Sequence, residues 1–208
     1  MTTLPKVKWV KHTDNAIIPT KTKYNAGFDI YTTEELYVLM PNETHMFKTD
    51  IASIIEDGYY FQVFERGSTG SKGIAQRCGV IDTNYSGTWF IPLTNTTNKP
   101  IIFAKDTSKE NLKEAFDKIQ KYHKSDVITE ELRSFYFINP PLYVSTFNNY
   151  LETITIYPTT KAIAQAVLLP CYDVDSSEGT LEELEARSQE LKAMGDTRGT
   201  GALGSSGK

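Results

Sequence analysis

Cysteine is nearly absent: of 208 residues only Cys78 and Cys171 carry thiols. Two are too few for a disulfide framework, and no CxxC pair offers a metal-ligand spacing. Histidine is scarce too. His12, His45 and His123 lie far apart and outside every motif described below, which argues against a histidine-metal centre or a Ser-His-Asp hydrolase. No run approaches the roughly 18 apolar residues that cross a bilayer. The first ten residues, Met1 to Val10, carry Lys6 and Lys8 but no apolar signal stretch. Excess positive charge is also lacking, since 22 Lys and Arg face 26 Asp and Glu for a net charge of -4. That balance counts against broad binding of nucleic acid or anionic membrane, which needs a basic face. It leaves room for a small anionic ligand held by a few local cations. The expected setting is soluble, reducing and cytoplasmic, with neither nucleic acid nor membrane as partner.

What is present is aromatic. Twelve Tyr and ten Phe, with hydrophobic residues at 39%, supply a packed core, and chains of this length commonly form one all-β domain. Short strand candidates recur between Gly, Pro, Asn and Asp: Pro5 to Val10, Phe28 to Tyr31, Leu36 to Met40, His45 to Thr49, Ile51 to Ile55, Tyr59 to Phe64 and Thr88 to Leu93. Leu151 to Tyr157 and Ile163 to Leu169 continue the series. This spacing predicts a sandwich or barrel, with Pro92 marking an edge strand or a bulge. Residues 104–149 break the pattern. Thr107 to Glu110 reads as a capping box, and Leu112, Ala115, Phe116 and Ile119 follow at helical spacing. A second helix is expected near Thr129 and an aromatic strand over Phe135 to Tyr143. The segment reads as an insertion that gathers Phe116, Ile119, Phe135 and Phe137 into its own small cluster. A further capping box, Thr180 with Glu183, opens a helix that stops at Gly195. We expect a β domain over 1–195, with the insertion inside it. Residues 196–208, glycine-rich and almost free of apolar side chains, are expected to form a flexible arm.

Five short segments carry residue types suited to chemistry. Gly79 to Gly87 (GVIDTNYSG) sets Asp82 and Tyr85 on what reads as a tight β-hairpin tip. Such a tip holds one carboxylate and one ring at the mouth of a cleft; the plainer reading is a turn Asp and a packed Tyr. Arg66 to Gly73 (RGSTGSKG) combines glycine-freed amides, hydroxyls and two cations, as a phosphate cradle does, without the Walker A spacing. Its plainer reading is a flexible loop. Asn25 to Ile30 leads a turn into a strand with Asp29 upon it. Ile163 to Val167 buries a lone Gln165, whose amide must be satisfied by backbone or by a site. Arg198 to Gly207 repeats the cradle chemistry, although Gly-Ser-Ser-Gly also suits a passive linker.

Taken in order, these segments resemble the trimeric dUTP pyrophosphatase (dUTPase) family, whose pattern is AGxD, RSxxxxxKG, GxIDxxYxG, GxxIAQ and RGxxGFGSxG. The counterparts here are Ala26 to Asp29, Arg66 to Gly73, Gly79 to Gly87, Ile163 to Gln165 and Arg198 to Gly207. The resemblance implies an all-β jelly-roll or β-sandwich, assembled as a homotrimer that shares each active site among subunits. It implies Mg²⁺-dependent hydrolysis of dUTP to dUMP and pyrophosphate by water attacking the α-phosphate, which limits uracil in DNA. By the same resemblance Asp82 orients and deprotonates the water, and Tyr85 packs on the deoxyribose face. Backbone of Gly79 and Ile81 reads uracil together with Gln76. Arg66, Gly67, Ser68, Gln165, Arg198, Gly204 and Ser205 hold the phosphates. Leu203 covers the base, and Asp29 meets Mg²⁺ in its outer sphere, through water.

The chain departs from the pattern at specific points. Gly67 stands where the family has a phosphate-binding Ser, and Gln76 where some members place an Asn. Thr160 to Ala162 replaces the usual lead into the IAQ strand. Leu203 replaces an arm Phe and covers a base without stacking on it. The insertion lies outside the family pattern, as either a surface elaboration or a docking platform for a protein partner. Two other functions stay open: a dCTP deaminase-like enzyme of the same fold, disfavoured by the Asp-x-x-Tyr-x-Gly segment, and a regulatory nucleotide-binding protein acting through the insertion.

Overall fold

A computed structural model describes residues 4–124 and 154–195. It falls into two compact units, the first running through Tyr172 and the second starting at Asp173. Within the first unit twelve short strands make four small sheets. The strands are β1 (Val7–Lys11), β2 (Phe28–Ile30), β3 (Leu36–Leu39), β4 (Thr44–Lys48), β5 (Ile51–Ile55), β6 (Tyr59–Phe64), β7 (Ile74–Gln76), β8 (Val80–Ile81), β9 (Phe90–Asn95), β10 (Ile101–Ala104), β11 (Thr155–Pro158) and β12 (Ala164–Pro170). The sheet orders are β1-β5, β11-β10-β3, β2-β12-β6-β8 and β4-β9-β7. Every pairing is antiparallel except β10 with β11. All four sheets contribute to one apolar core around Trp89, Tyr157, Phe47, Phe61 and Phe103. The architecture is all-β, as the short alternating runs predict, and of the jelly-roll type that the family resemblance implies.

Three local expectations are corrected. The segment from Gly79 to Gly87 is not a hairpin: β8 pairs with β6 while β9 pairs with β4 and β7. The chain therefore turns at Asp82, where Tyr85 N–H donates to the Asp82 carbonyl at 3.1 Å, and crosses from one sheet to another. Pro92 lies in the central strand of its sheet, not on an edge. Its carbonyl accepts the Arg77 N–H at 2.9 Å, but proline has no N–H to return, and the β7 ladder ends one pair earlier, at Gln76 opposite Leu93. The helix after β10, α2 (Lys109–Lys124), starts from Ser108 and not Thr107, since the Leu112 N–H donates to the Ser108 carbonyl at 3.1 Å.

That helix packs on the β domain. Leu112, Ala115 and Ile119 pack with Phe116 on Val38, Ile102, Ala104, Ile154 and Ile156. They cover the outer face of the β11-β10-β3 sheet. β10 is consequently buried along its whole length: Ile101 and Phe103 face the main core, Ile102 and Ala104 face α2. Phe135, Phe137 and the expected elements near Thr129 and Phe135 to Tyr143 lie outside the described residues. In the second unit Thr180 caps α3 (Leu181–Ala193) through the expected reciprocal bonds with Glu183. Gly195 follows at φ +93°, the left-handed residue that ends many helices.

Candidate functional site

Strand pairing assembles the first group of residues. In the β2-β12 ladder Asp29 sits opposite Gln165, and in the β12-β6 ladder Gln165 sits opposite Phe64. Arg66, two residues past Phe64, folds back onto this junction. Its Nε and Nη2 donate to the two Asp29 carboxylate oxygens at 3.1 and 3.4 Å. Its Nη1 donates to the Ala162 carbonyl at 3.0 Å and the Ser68 hydroxyl at 3.3 Å. Gln165 Nε2 donates to the Glu65 carbonyl at 3.0 Å. The lone Gln of an apolar strand is thus satisfied by backbone and fixed at the cleft. Glycine at position 27 suits this close approach, because a Cβ there would lie 3.3 Å from the Ala166 carbonyl and from Gln165 Cβ, a tight contact.

The loop after Arg66 is wound, not open. Residues Gly67–Gly70 form one helical turn, α1 by position but a single turn in length. The buried Thr69 anchors it, its hydroxyl donating to the Arg66 carbonyl at 2.9 Å. The amides of residues 69 to 73 bond within the turn, which leaves those of Gly67 and Ser68 at its start for a ligand. Together Tyr24, Asn25, Ala26, Gly27, Asp29, Arg66, Gly67, Ser68 and Gln165 line an open cleft of about 520 Å³. Arg66 and Asp29 cancel within it, so the site offers hydrogen-bond donors more than net charge.

The second group lies elsewhere. None of Gln76, Gly79, Ile81, Asp82 and Tyr85 lines that cleft. Counting along the β12-β6-β8 ladder, Asp82 and Gln165 are two strand spacings and four residues apart, roughly 16 Å at ordinary sheet dimensions. The Asp82 side chain is exposed. Tyr85, 42% exposed, donates from its hydroxyl to the Thr88 carbonyl at 2.9 Å and lies across Gly87, where a Cβ would meet the ring oxygen at 2.6 Å. The Ile81 side chain belongs to the core, so this position offers only backbone to a ligand. Gln76 Nε2 donates to the Cys78 carbonyl at 2.5 Å. Burial pushes the Cys78 thiol up, and it serves as a neutral packing group. β8 is the edge of its sheet and presents unpaired backbone on its far side. Arg198, Leu203, Gly204 and Ser205 lie outside the described residues.

Among the described residues no three His, Cys, Asp or Glu side chains gather as a metal would require. The cleft holds a single carboxylate, Asp29. That donor set fits a hydrated Mg²⁺ carried on phosphates and met through water, the manner in which Mg²⁺ is commonly bound.

Residues 13–107 match the family model described as dUTPase. That stretch is similar in sequence to the dUTPase family. Over 90 residues it is 36% identical to the deoxyuridine 5'-triphosphate nucleotidohydrolase of Variola virus, a stretch covering 43% of this chain and 60% of the relative. The counterpart from Fowlpox virus is 36% identical over 94 residues, covering 44% and 64%. The chain thus spans about 60% of the length of the curated relatives it matches. The dUTPase fold extends further. A Staphylococcus bacteriophage 80alpha dUTPase with dUpNHpp superposes at a TM-score of 0.59, with 22% identity over 98% of this chain and 99% of that one. The dUTPase of phage phi11 of S. aureus, described with a species-specific insert, gives 0.54 with 20% identity over 84% and 96%. A phi11 mutant is described with a structural Mg(II) ion, and the 80alpha enzyme as controlling transfer of virulence genes by a G protein-like mechanism.

Within the first unit, side chains from three of the sequence motifs meet in one cleft. Its backbone partners, the carbonyls of Glu65 and Ala162, and its outer lining residue Tyr24 were not foreseen. Carbonyls carry no side-chain signal, and Tyr24 belongs to no motif.

Proposed function

We propose that the protein hydrolyses dUTP to dUMP and pyrophosphate. The observation that carries this reading is the convergence of Asp29, Arg66, Ser68 and Gln165 on one polar cleft, in a domain of the dUTPase family. Arg66, Ser68, Gln165 and the amides of Gly67 and Ser68 hold the triphosphate and stabilise charge developing on it. Asp82 takes a proton from the attacking water, Tyr85 presents its ring to the sugar, and the β8 edge with Gln76 reads uracil. Mg²⁺ bound to the phosphates would neutralise part of their charge, with Asp29 orienting its water shell.

The roughly 16 Å between Asp82 and Gln165 makes one copy insufficient. We infer that the chain acts as a homotrimer in which the Asp82 turn of one copy faces the Arg66 cleft of the next. Arg198, Leu203, Gly204 and Ser205 would close the site from the arm. Pyrophosphate release from dUTP, dCTP, dTTP and UTP tests the reaction for wild type and Asp82→Asn. Release from dUTP alone, abolished in the variant, is expected. Equal turnover of UTP, ammonia from dCTP, or an active variant would sink the assignment.

A protein-docking role for residues 104–149 is favoured by the insert and the G protein-like mechanism ascribed to the phage neighbours. Removing residues 125–149 should leave the KM for dUTP unchanged, and a large rise would place the insertion in catalysis instead.

A further inference from the structure

The rim of the cleft carries a residue that local structure does not explain. The Asn25 N–H donates to the Thr22 carbonyl at 3.1 Å, closing a turn over Thr22-Lys23-Tyr24-Asn25. Its third position has φ +77°, a conformation that favours Gly or Asn and is strained for a bulky side chain. Tyr24 stands there. Its ring gains little from packing, being 91% exposed, and its recorded side-chain neighbour is the Lys23 ammonium, 5.1 Å from the ring centroid. Tyr24 is also one of the residues that line the cleft, with Arg66, Gly67 and Ser68. A strained aromatic, unburied and at the border of a binding cleft, is the kind of outlier that points to function.

The cleft needs what this pair supplies. The guanidinium of Arg66 is largely spent on Asp29, Ala162 and Ser68, and Asp29 cancels its charge. The Lys23 ammonium lies against the ring of Tyr24, the one aromatic residue among those that border the cleft. We infer that Lys23 and Tyr24 form a subsite for the terminal phosphate of a polyphosphate chain. The ammonium and the phenol O–H bind the outermost phosphate and make the cleft select three linked phosphates over two. This rests on the reading of the cleft as a phosphate site, but not on uracil or on hydrolysis.

Calorimetry with inorganic tripolyphosphate and pyrophosphate tests it on the full-length protein. Wild type should bind tripolyphosphate more tightly, and Lys23→Gln and Tyr24→Gly should each reduce that preference about fivefold, the scale of one charge-assisted hydrogen bond in a partly open site. Tyr24→Gly relieves the turn, so its thermal midpoint should not fall; Tyr24→Phe keeps the ring, loses the hydroxyl and should give part of the same effect. An unchanged preference in these variants, an equal loss for both anions, or no preference in wild type would overturn the subsite. Failure of wild type to release pyrophosphate from dUTP, with the preference intact, would instead remove the hydrolytic reading and leave the subsite standing.

Discussion

Replacing Gly67 by Ser should tighten substrate binding without cost to the fold. Gly67 begins the turn after Arg66, and a Cβ built on it meets nothing within 4 Å. Its φ lies outside the left-handed range, so no strain attends a side chain there. Removing a glycine where the backbone permits it stabilises by about 0.5 kcal/mol through the unfolded chain. The new hydroxyl enters the cleft beside Ser68. A hydrogen bond from a hydroxyl to a charged phosphate is worth about 1.5–3 kcal/mol when well shielded, and the openness of this cleft reduces that to about 1 kcal/mol. One kilocalorie corresponds to roughly a fivefold change in affinity. Steady-state kinetics on dUTP should therefore show KM falling about fivefold with kcat little changed, since the bond is present in ground and transition states alike. A raised KM, or a thermal midpoint lowered by more than about 3 °C, would refute the placement of this residue.

Two other outcomes follow from the packing and from the divided site. Leu112→Ala removes a buried contact between α2 and the β11-β10-β3 sheet and should cost about 2–4 kcal/mol in denaturant unfolding, with the KM for dUTP unchanged; a loss below 1 kcal/mol would show that the helix is not part of the core. Asp82→Asn and Arg66→Ala should each be inactive alone, yet after mixing, unfolding and refolding together they should recover about one quarter of wild-type activity. Half of the turns and half of the clefts are then intact and pair at random in a cyclic assembly; no recovery would mean that each site is built within one chain.

How much of this was legible in the sequence depends on the kind of signal involved. Strands such as Ile51–Ile55 and Tyr59–Phe64 are marked by β-branched and aromatic runs between turn residues, and both appear at those bounds. The Thr180–Glu183 box is local, and local chemistry decided that helix start. Errors arose where a distant partner decides. Val80 and Ile81 look like half of a hairpin, but Phe61 and Gln62 claim them, and only then does the chain cross to another sheet. Pro92 looks like an edge residue, yet a strand can stay central if its ladder ends at the proline. Phe116 and Ile119 have the right spacing for a helix, but spacing does not tell which surface the helix will cover. At the site, Asp29, Arg66 and Gln165 were legible as motif residues. Their meeting was not, because it depends on the register that puts Gln165 opposite both Asp29 and Phe64.

The charge of the cleft gives a reason for dividing the site. Arg66 has five N–H groups; two reach Asp29, one Ala162 and one Ser68. These bonds fix the guanidinium where a phosphate can meet its remaining donor, but they leave the lining close to neutral. The Arg66–Asp29 pair holds the cleft in shape in the absence of nucleotide. The neutral lining does not hold a triphosphate strongly. The missing positive charge must then be brought by groups that arrive with or close over the substrate: the ion on the phosphates, Arg198 from the proposed arm, and Lys23 at the rim. On that division the cleft supplies geometry and the added cations supply charge. Catalysis would then wait until nucleotide, arm and the neighbouring Asp82 are all in place, which protects the dUMP-forming water from acting on an incomplete site.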